Sequence, residues 1–307
     1  MNKIMLCLAG LLLLGCGHGQ TGPAPAAPTA QAAQIAAAPE GFDDEDERVL
    51  GLCLSVADQL PCAVDLDGDG AREQLDLVTY LGEDRYPRWA IELTANGQKR
   101  TFETDIPADM PHDLWVGDLD EDGAYEIFFH GDMASDDYLT YGFRSDLSCL
   151  LFEPDERAVR WGGDTVSNVY AGAIAGFEDD HLIMEGSVDM LGTHWGVRNF
   201  AIGDDGVIGP VSTVWTFNDE IEADRPLTVT KALTAYRAAV RRDPGEAFTL
   251  APGEKIYPQA SDGCSRLWFR TEKGKDGVLL LTPDEENIWL IDGTPEAEYF
   301  AFLPYSG

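Results

Sequence analysis

Two short segments place acidic residues at alternate positions and follow them with a glycine and an apolar run. The first, DLDGDGAREQLDLV, begins at Asp65, and the second, DLDEDGAYEIFF, begins at Asp118. Alternating aspartates on a tightly curled loop can direct several carboxylates to one point, and the glycine permits the sharp turn. Carboxylates held so close together repel one another unless a cation lies between them. The two segments therefore predict two sites for a hard, oxygen-preferring cation.

Calcium suits this set of donors, because it takes about six to eight oxygen ligands in a flexible cage. In each segment we assign three aspartates and a closing glutamate as side-chain ligands, and one backbone carbonyl as a neutral ligand. The predicted ligands of the first site are Asp65, Asp67, Asp69, Ala71 (through its carbonyl) and Glu73. Those of the second site are Asp118, Asp120, Asp122, Ala124 (through its carbonyl) and Glu126.

The flanking residues separate several kinds of calcium loop. An EF-hand needs a helix on each side, an apolar residue two positions after the glycine and an acid about six after it. Arg72 occupies the apolar position of the first segment, and Phe129 occupies the acidic position of the second. A dockerin-type pair would also be helical and would repeat sooner than the 53 residues (118 − 65) found here. Both segments instead continue as alternating strands.

Both segments resemble the FG-GAP or VCBS-type repeat, the calcium loop of integrin-like β-propellers, which reads Asp-x-Asp-x-Asp-Gly-x-x-Asp before an apolar strand. Glu73 and Glu126 replace the last Asp of that pattern. The resemblance covers about Gln59–Phe217 and implies four-stranded blades, since roughly four strands fit in the repeat interval. The length allows three or four blades, so a small or partial propeller is implied. An eroded third copy, Ala175–Val188, is expected to form a structural unit without a cation.

Short segments rich in aromatic and β-branched residues predict an all-β fold from about Phe42 to Asp219. Turn sequences separate them at Ala95–Gly97, Arg144–Asp146 and Gly203–Gly206. The predicted strands are LDLVTYL, RWAIELT, KRTFETD, YEIFFHG, YLTYGF, HLIMEGS, VRNFAIG and STVWTF.

The character of the sequence changes near Glu220, within the connector Asn218–Pro226. Beyond it, LAPGEKI (Leu250–Ile256) and WFRTEKGKDGVL (Trp268–Leu279) resemble the bacterial SH3-like domain. Val278 stands where that pattern has an aromatic residue. The resemblance implies a small β-barrel over residues 220–307 that contacts cell-wall peptides; a packing module without a ligand is the alternative. The preceding β-domain is expected over residues 41–219.

The N-terminal sequence predicts export and lipid anchoring. Residues 1–15 combine Lys3 with an apolar run that is short for a membrane span, which is typical of a secretory signal. LLGC at Leu13–Cys16 resembles the bacterial lipobox, which implies acylation of Cys16, for example with palmitate; an ordinary signal peptide is the alternative. Residues 16–40, rich in Ala, Pro and Gln, are expected to form a tether. The predicted location is the cell envelope, on the outer face of a bacterial membrane.

The chain is strongly acidic, with 21 basic and 55 acidic residues and a net charge of −34. Such a chain repels phosphate backbones and anionic lipids, so it predicts no nucleic-acid partner. The same charge suits divalent cations, and it also favours solubility.

Six cysteines are present, of which Cys7 lies in the leader. In an oxidising compartment the four beyond Cys16 are compatible with two disulfides. The short loop CLSVADQLPC favours a Cys53–Cys62 bond. Cys149 and Cys264 are either a second pair or separate buried thiols.

The sequence contains no recognisable catalytic motif. It lacks His-Glu-x-x-His, Gly-x-Ser-x-Gly and a phosphate-binding glycine loop. His130 lies near Asp132 and Asp136, but a histidine at a strand end explains that arrangement as well. Four tryptophans are candidates either for stacking on sugars or for the core, with the core favoured. They are Trp89, Trp115, Trp195 and Trp215.

These features favour a non-catalytic, membrane-anchored bacterial surface or envelope lipoprotein whose calcium-stapled β-repeats bind a protein or a cell-wall glycan. The alternative is a periplasmic inhibitor or immunity lipoprotein that acts against a secreted peptidoglycan hydrolase. A long acidic loop such as HGDMASDDY, which begins at His130, would suit a basic, lysozyme-like target of that kind. An enzymatic function has less support than either.

Overall fold

The computed structural model describes most of the chain after residue 48. The described ranges are residues 49–50, 53–55, 57–133, 138–154, 165–178, 180–218 and 225–305. The predicted signal peptide, the lipidation site Cys16, the tether and Asp136 lie outside the described residues, as does most of the connector. Cys53 lies on a described strand, but its side chain lies outside what the structure describes.

Strands make up nearly all of the regular structure in the described ranges, which confirms the all-β prediction. The described residues also include two short 3₁₀ helices, Ala57–Gln59 and Glu296–Glu298. The strands are β1 (Val49–Leu50), β2 (Cys53–Ser55), β3 (Cys62–Val64), β4 (Glu73–Leu81), β5 (Pro87–Ala95), β6 (Gln98–Pro107), β7 (His112–Gly117), β8 (Glu126–Asp132), β9 (Tyr138–Phe143), β10 (Leu151–Phe152), β11 (Ala173–Glu178), β12 (His181–Asp189), β13 (Thr193–Ile202), β14 (Val207–Pro210), β15 (Trp215–Phe217), β16 (Leu227–Thr228), β17 (Leu233–Tyr236), β18 (Ala247–Leu250), β19 (Lys255–Ser261), β20 (Arg266–Thr271), β21 (Asp276–Leu280), β22 (Thr282–Pro283), β23 (Trp289–Ile291) and β24 (Thr294–Pro295).

The first sheet is a four-stranded antiparallel meander in the order β3-β4-β5-β6. A turn at Asn96 and Gly97, both with positive φ, joins β5 to β6. One face of this sheet buries Leu75, Ile91 and Leu93. Alternation of buried and exposed residues along β4 therefore follows the two-residue period of a strand with one face on a core.

The second sheet has the order β1-β2-β7-β8-β9, and its strands β7, β8 and β9 bury side chains on both faces. Phe129 and Val116 pack in a cluster with residues of the first sheet. Phe128 and Trp115 point to the other face and join the cluster that contains Phe177 and other residues of the third sheet. Burial on both faces explains why β8 contains a continuous apolar run, Ile127–Phe129, rather than alternating apolar and polar residues.

The third sheet begins with the hairpin β11–β12 and continues through β13 to β14 and β15. The eroded third copy of the acidic segment forms that hairpin, with Glu178 opposite His181 in the register. Like the two intact copies, it lies in a hairpin that joins two consecutive strands.

Hydrogen bonding continues across the domain boundary predicted at residues 219 and 220. Strand β15 pairs on one side with β13 and on the other with β19, so one twelve-stranded sheet contains both predicted domains. A single apolar cluster likewise contains Phe200 and Trp215 together with Phe269 and Trp289. None of the sheets closes on itself within the described ranges.

The predicted strand STVWTF is shorter in the structure, where only Trp215–Phe217 is extended. The Ser212 hydroxyl accepts a hydrogen bond from the Val214 N–H at 3.1 Å. A local side-chain turn of this kind competes with strand pairing, which explains the difference. No helix within the described ranges is long and apolar enough to cross a bilayer.

Candidate metal centres

The two acidic segments form the hairpin loops of successive sheets. The first joins β3 to β4, with Val64 opposite Glu73, and the second joins β7 to β8, with Gly117 opposite Glu126. Each closing glutamate is therefore the first residue of a strand. Strand pairing fixes both ends of each loop, so the aspartates between them are confined to one tight curl.

The aspartates of the two loops accept hydrogen bonds in the same order. Asp65 Oδ2 accepts the Gly70 N–H at 3.0 Å, and Asp118 Oδ2 accepts the Gly123 N–H at 3.0 Å. The glycines have φ of +86° and +91°, a conformation that other residues rarely adopt.

The remaining aspartates each bind the N–H two residues later, at nearly equal distances in the two loops. Asp67 Oδ1 accepts from Asp69 at 3.2 Å and Asp120 Oδ1 accepts from Asp122 at 3.3 Å. The corresponding distances to the alanine N–H groups are 2.7 Å from Asp69 and 2.8 Å from Asp122. The equal spacing in the sequence thus gives the same set of local hydrogen bonds in both loops.

The closing glutamates are buried and hold the loops from inside. Glu73 is 4% exposed and Glu126 is 2% exposed. Each uses Oε2 to accept the N–H of the second loop residue at 2.8 Å, which is Leu66 in the first loop and Leu119 in the second. Both leucines are buried. Sequence reasoning missed these leucines, although an apolar residue at the second position of both copies was the available signal.

The structure brings most of the predicted side-chain ligands together. Oxygens of Asp65, Asp67 and Glu73 lie within 4.8 Å of one another, as do oxygens of Asp118, Asp120 and Asp122. In the described residues these are the two clusters of His, Cys, Asp or Glu with such spacing. Asp69 and Glu126 lie in the same loops but outside those sets.

Ala71 and Ala124 also lie in the loops, and each donates its N–H to the preceding aspartate of the alternating series. Ala71 is exposed and Ala124 is half-buried. Their carbonyls remain predicted ligands.

One oxygen in each loop is buried without a hydrogen-bond partner. These atoms are Oδ1 of Asp65 and Oδ1 of Asp118, which are equivalent by position. A buried carboxylate oxygen that lacks a partner is unfavourable, because it loses its hydration without compensation. A cation at the cluster would supply the missing partner to the same atom in both loops. The donor set therefore fits a hard cation.

Burial and the neighbouring carboxylates both raise pKa values in the second loop. Burial, followed by the charges of Asp122 and Asp120, raises the pKa of Asp118. Burial is also the largest cause that raises the pKa of Glu126 to about 7, and the three loop aspartates add to the effect. The Leu119 N–H opposes the shift. A bound cation would remove this repulsion and favour the ionised form.

The described histidines belong to neither of the two metal-type clusters. His130 is half-buried on β8, and burial lowers the pKa of its imidazole. His194 is buried and stacks on Phe217 at 4.8 Å between ring centroids. Both positions agree with packing roles on strands.

The four tryptophans divide between the core and the half-buried surface. Trp115 and Trp215 are buried in the main apolar cluster. Trp89 is half-buried and packs on His112, with 4.6 Å between the ring centroids. Trp195 is also half-buried and packs edge-on against Tyr138, with 6.2 Å between the ring centroids. Trp89 and Trp195 are therefore the two of the four that stay partly open for stacking on a sugar.

The three cysteines whose side chains the structure describes are thiols that form no disulfide bond. Cys62 is buried on β3, Cys149 is half-buried and Cys264 is exposed. Cys149 and Cys264 are not bonded to one another, and Cys264 is not buried, contrary to the buried-thiol alternative. Burial raises the pKa of the Cys62 thiol to about 11. Cys62 is a free thiol in the structure, so the predicted Cys53–Cys62 bond is not formed there.

Comparison of the chain with protein-family models, with curated proteins and with solved structures gives no match.

Proposed function

We propose that each acidic loop binds one Ca²⁺ ion and that the two ions staple the hairpins of successive β-sheets. The observation that carries this proposal is the equivalence of the loops. Each repeats the same hydrogen bonds, and each leaves the same aspartate oxygen, Asp65 Oδ1 or Asp118 Oδ1, buried without a partner. A surface turn selected only for solubility has no need of a buried, unpartnered carboxylate oxygen in both copies.

Calcium is favoured over magnesium by the chemistry of the donors. The ligands in each loop are carboxylates and carbonyls on a partly exposed hairpin, which suits the adaptable coordination of Ca²⁺. Magnesium requires a near-octahedral shell and keeps several waters. The Ca²⁺ would neutralise part of the loop charge. Glu73 and Glu126 would stabilise the loop conformation through their hydrogen bonds to the N–H groups of Leu66 and Leu119.

We infer a small or partial propeller for residues 41–219 from the stacking of three successive sheets. Support comes from the second sheet, which packs on the first through one face and on the third through the other. Each of the three sheets also carries an acidic segment, intact or eroded, in an equivalent hairpin. For residues 220–307 we retain the SH3-like barrel as a proposal, supported by the antiparallel run β19-β20-β21.

At the level of the whole protein we propose a non-catalytic envelope lipoprotein that presents this β-structure to a protein or a cell-wall glycan. The alternative is an inhibitor of a secreted peptidoglycan hydrolase. The net charge of −34 and the exposed aspartates of both loops favour a basic target for it. Pull-down from an envelope extract distinguishes the two, because a captured basic hydrolase whose activity falls on binding supports the inhibitor.

Replacement of one predicted ligand tests the calcium assignment. We expect Asp120→Ala to weaken Ca²⁺ binding at the second loop by at least about tenfold, which is about 1.4 kcal/mol, because a charged ligand is lost. Asp67→Ala should do the same at the first loop. Calorimetric titration with Ca²⁺ measures both, and the melting temperature in Ca²⁺ should fall as well.

Glu121→Ala is the matched control for Asp120→Ala. Glu121 is exposed, neighbours Asp120 in the same loop and already has a positive φ of 57°, so its replacement removes the same charge without removing a ligand. If the two variants lose calcium affinity equally, the loop attracts cations only through its net charge, and the ligand assignment is wrong.

Replacement of the predicted lipidation site tests the anchor. Cys16→Ser should leave the protein unlipidated and move it from the membrane fraction to the soluble fraction, because the two acyl chains are lost. Fractionation with immunodetection measures this, with Cys264→Ser as the control. Unchanged membrane retention of Cys16→Ser would contradict the lipoprotein assignment.

A further inference from the structure

The two acidic loops, although far apart in the sequence, touch each other through their backbones. The Tyr125 N–H in the second loop donates a hydrogen bond of 2.7 Å to the carbonyl of Leu66 in the first. Leu66 is completely buried. The contact therefore belongs to the interior of the protein and is shielded from water.

A second contact explains a difference between the loops. A β-carbon added to Gly68 would lie 2.7 Å from the carbonyl oxygen of Gly123, closer than such atoms approach. The equivalent residue of the second loop is Glu121, which adopts a similar φ, 57° against 71°, with a full side chain. The backbone conformation alone thus does not require glycine at position 68. The approach of the other loop does.

These contacts connect the two predicted ligand sets. Glu73 holds the N–H of Leu66 at 2.8 Å, and the carbonyl of Leu66 holds Tyr125, which lies between Ala124 and Glu126. Any adjustment of Glu73 toward a cation acts on Leu66 and, through it, on the part of the second loop that carries two predicted ligands. An adjustment of the second loop around Tyr125 acts on Leu66 and Glu73 through the same two hydrogen bonds.

We propose that the loops form a coupled pair, in which a cation at one loop raises the affinity of the other. This inference rests on the proposed calcium function. The opposing effect is electrostatic, since the first cation reduces the negative charge that attracts the second. Asp67, Asp69 and Asp122 are exposed, so salt weakens that effect, whereas the buried Leu66–Tyr125 contact is insensitive to salt. Ordering of the shared contact by the first ion dominates at physiological ionic strength.

Calorimetric titration of the full chain with Ca²⁺ in about 0.15 M KCl tests the coupling. The variants are Asp67→Ala and Asp120→Ala, each of which weakens one loop and leaves the other with all of its predicted ligands. The product of the two stepwise association constants of the unmodified protein should exceed the product of the two single-loop constants by at least about fivefold, the lower end of typical coupling. Equal products, or a smaller product for the unmodified protein, would overturn the proposal.

Gly68→Ala separates the contact from the ligands. It keeps every predicted ligand but pushes the loops apart, so two ions should still bind while the fivefold excess disappears. Gly97→Ala is the control, because Gly97 has nearly the same φ, +74° against +71°, with open space around its missing side chain. It should bind as the unmodified protein does. If Gly68→Ala fails to fold, the comparison of the unmodified protein with Asp67→Ala and Asp120→Ala still shows whether the two loops are coupled.

The failures of the two proposals are distinguishable. An unmodified protein that binds no Ca²⁺ refutes the proposed function, and the coupling with it. An unmodified protein that binds two ions independently refutes only the coupling.

Discussion

The protein in 10 mM Ca²⁺ should melt well above the same protein in chelator. An ion that binds only the folded state stabilises it by RT ln(1 + [L]/Kd), and extracellular calcium modules bind with Kd near 10⁻⁴–10⁻³ M, so two loops contribute about 3–5 kcal/mol. For a chain of this size that corresponds to a rise of roughly 6–20 °C in melting temperature. Removal of the carboxylate repulsion within each loop is the physical origin of the gain.

Thermal unfolding followed by circular dichroism in EGTA and in Ca²⁺ measures this shift. Mg²⁺ at the same concentration and ionic strength is the control, and it should give a smaller rise because it dehydrates reluctantly. Superimposable unfolding curves in chelator and in Ca²⁺ would show that the loops hold no stabilising ion.

Glu126→Gln should have opposite effects in chelator and in calcium. Without metal, the pKa of Glu126 is raised to about 7 by burial and by the neighbouring aspartates, compared with 4.5 for the unperturbed group. The folded chain then keeps a proton that the unfolded chain releases, so stability is highest below the unperturbed pKa and falls as the pH rises from 4.5 toward 7. Above that pH the ionised group destabilises the metal-free fold by about 3 kcal/mol.

The neutral glutamine removes that penalty and can still accept the Leu119 N–H. At pH 8 in EGTA the variant should therefore be more stable than the unmodified protein, and at pH 4 the difference should vanish. In 10 mM Ca²⁺ the order should reverse, because the second loop has lost a closing carboxylate. Denaturant unfolding at pH 4 and pH 8 measures these differences, with Glu121→Gln as the charge-matched control. A variant less stable than the unmodified protein under all of these conditions would contradict the proposed role.

The sequence was most informative where local pattern decides the structure. The acidic loops, their glycines and the strands after them depend on residues a few positions apart, and the structure places Asp65 to Glu73 and Asp118 to Glu126 in equivalent hairpins. The strand assignments depend on the same short range. Calcium itself, the lipid anchor and the partner remain predictions, because none of them follows from the fold.

Features that depend on contacts between distant parts of the chain could not be predicted from local sequence patterns. The contact between Leu66 and Tyr125 depends on how two sheets stack, which no local pattern reveals. The pairing of β15 with β19 is also non-local, and the connector composition near Glu220 pointed to a boundary that the hydrogen bonding crosses. No local pattern distinguishes Gly68, because its closest constraint comes from Gly123 in the other loop.

A crystal structure determined from crystals soaked in millimolar CaCl₂, with anomalous data, tests the calcium assignment most directly. We predict one anomalous peak in each loop, about 2.3–2.6 Å from its carboxylate oxygens. Asp65 Oδ1 and Asp118 Oδ1, the buried oxygens without a partner, should be among the ligands. Two well-ordered loops that hold only water at that calcium concentration would contradict it.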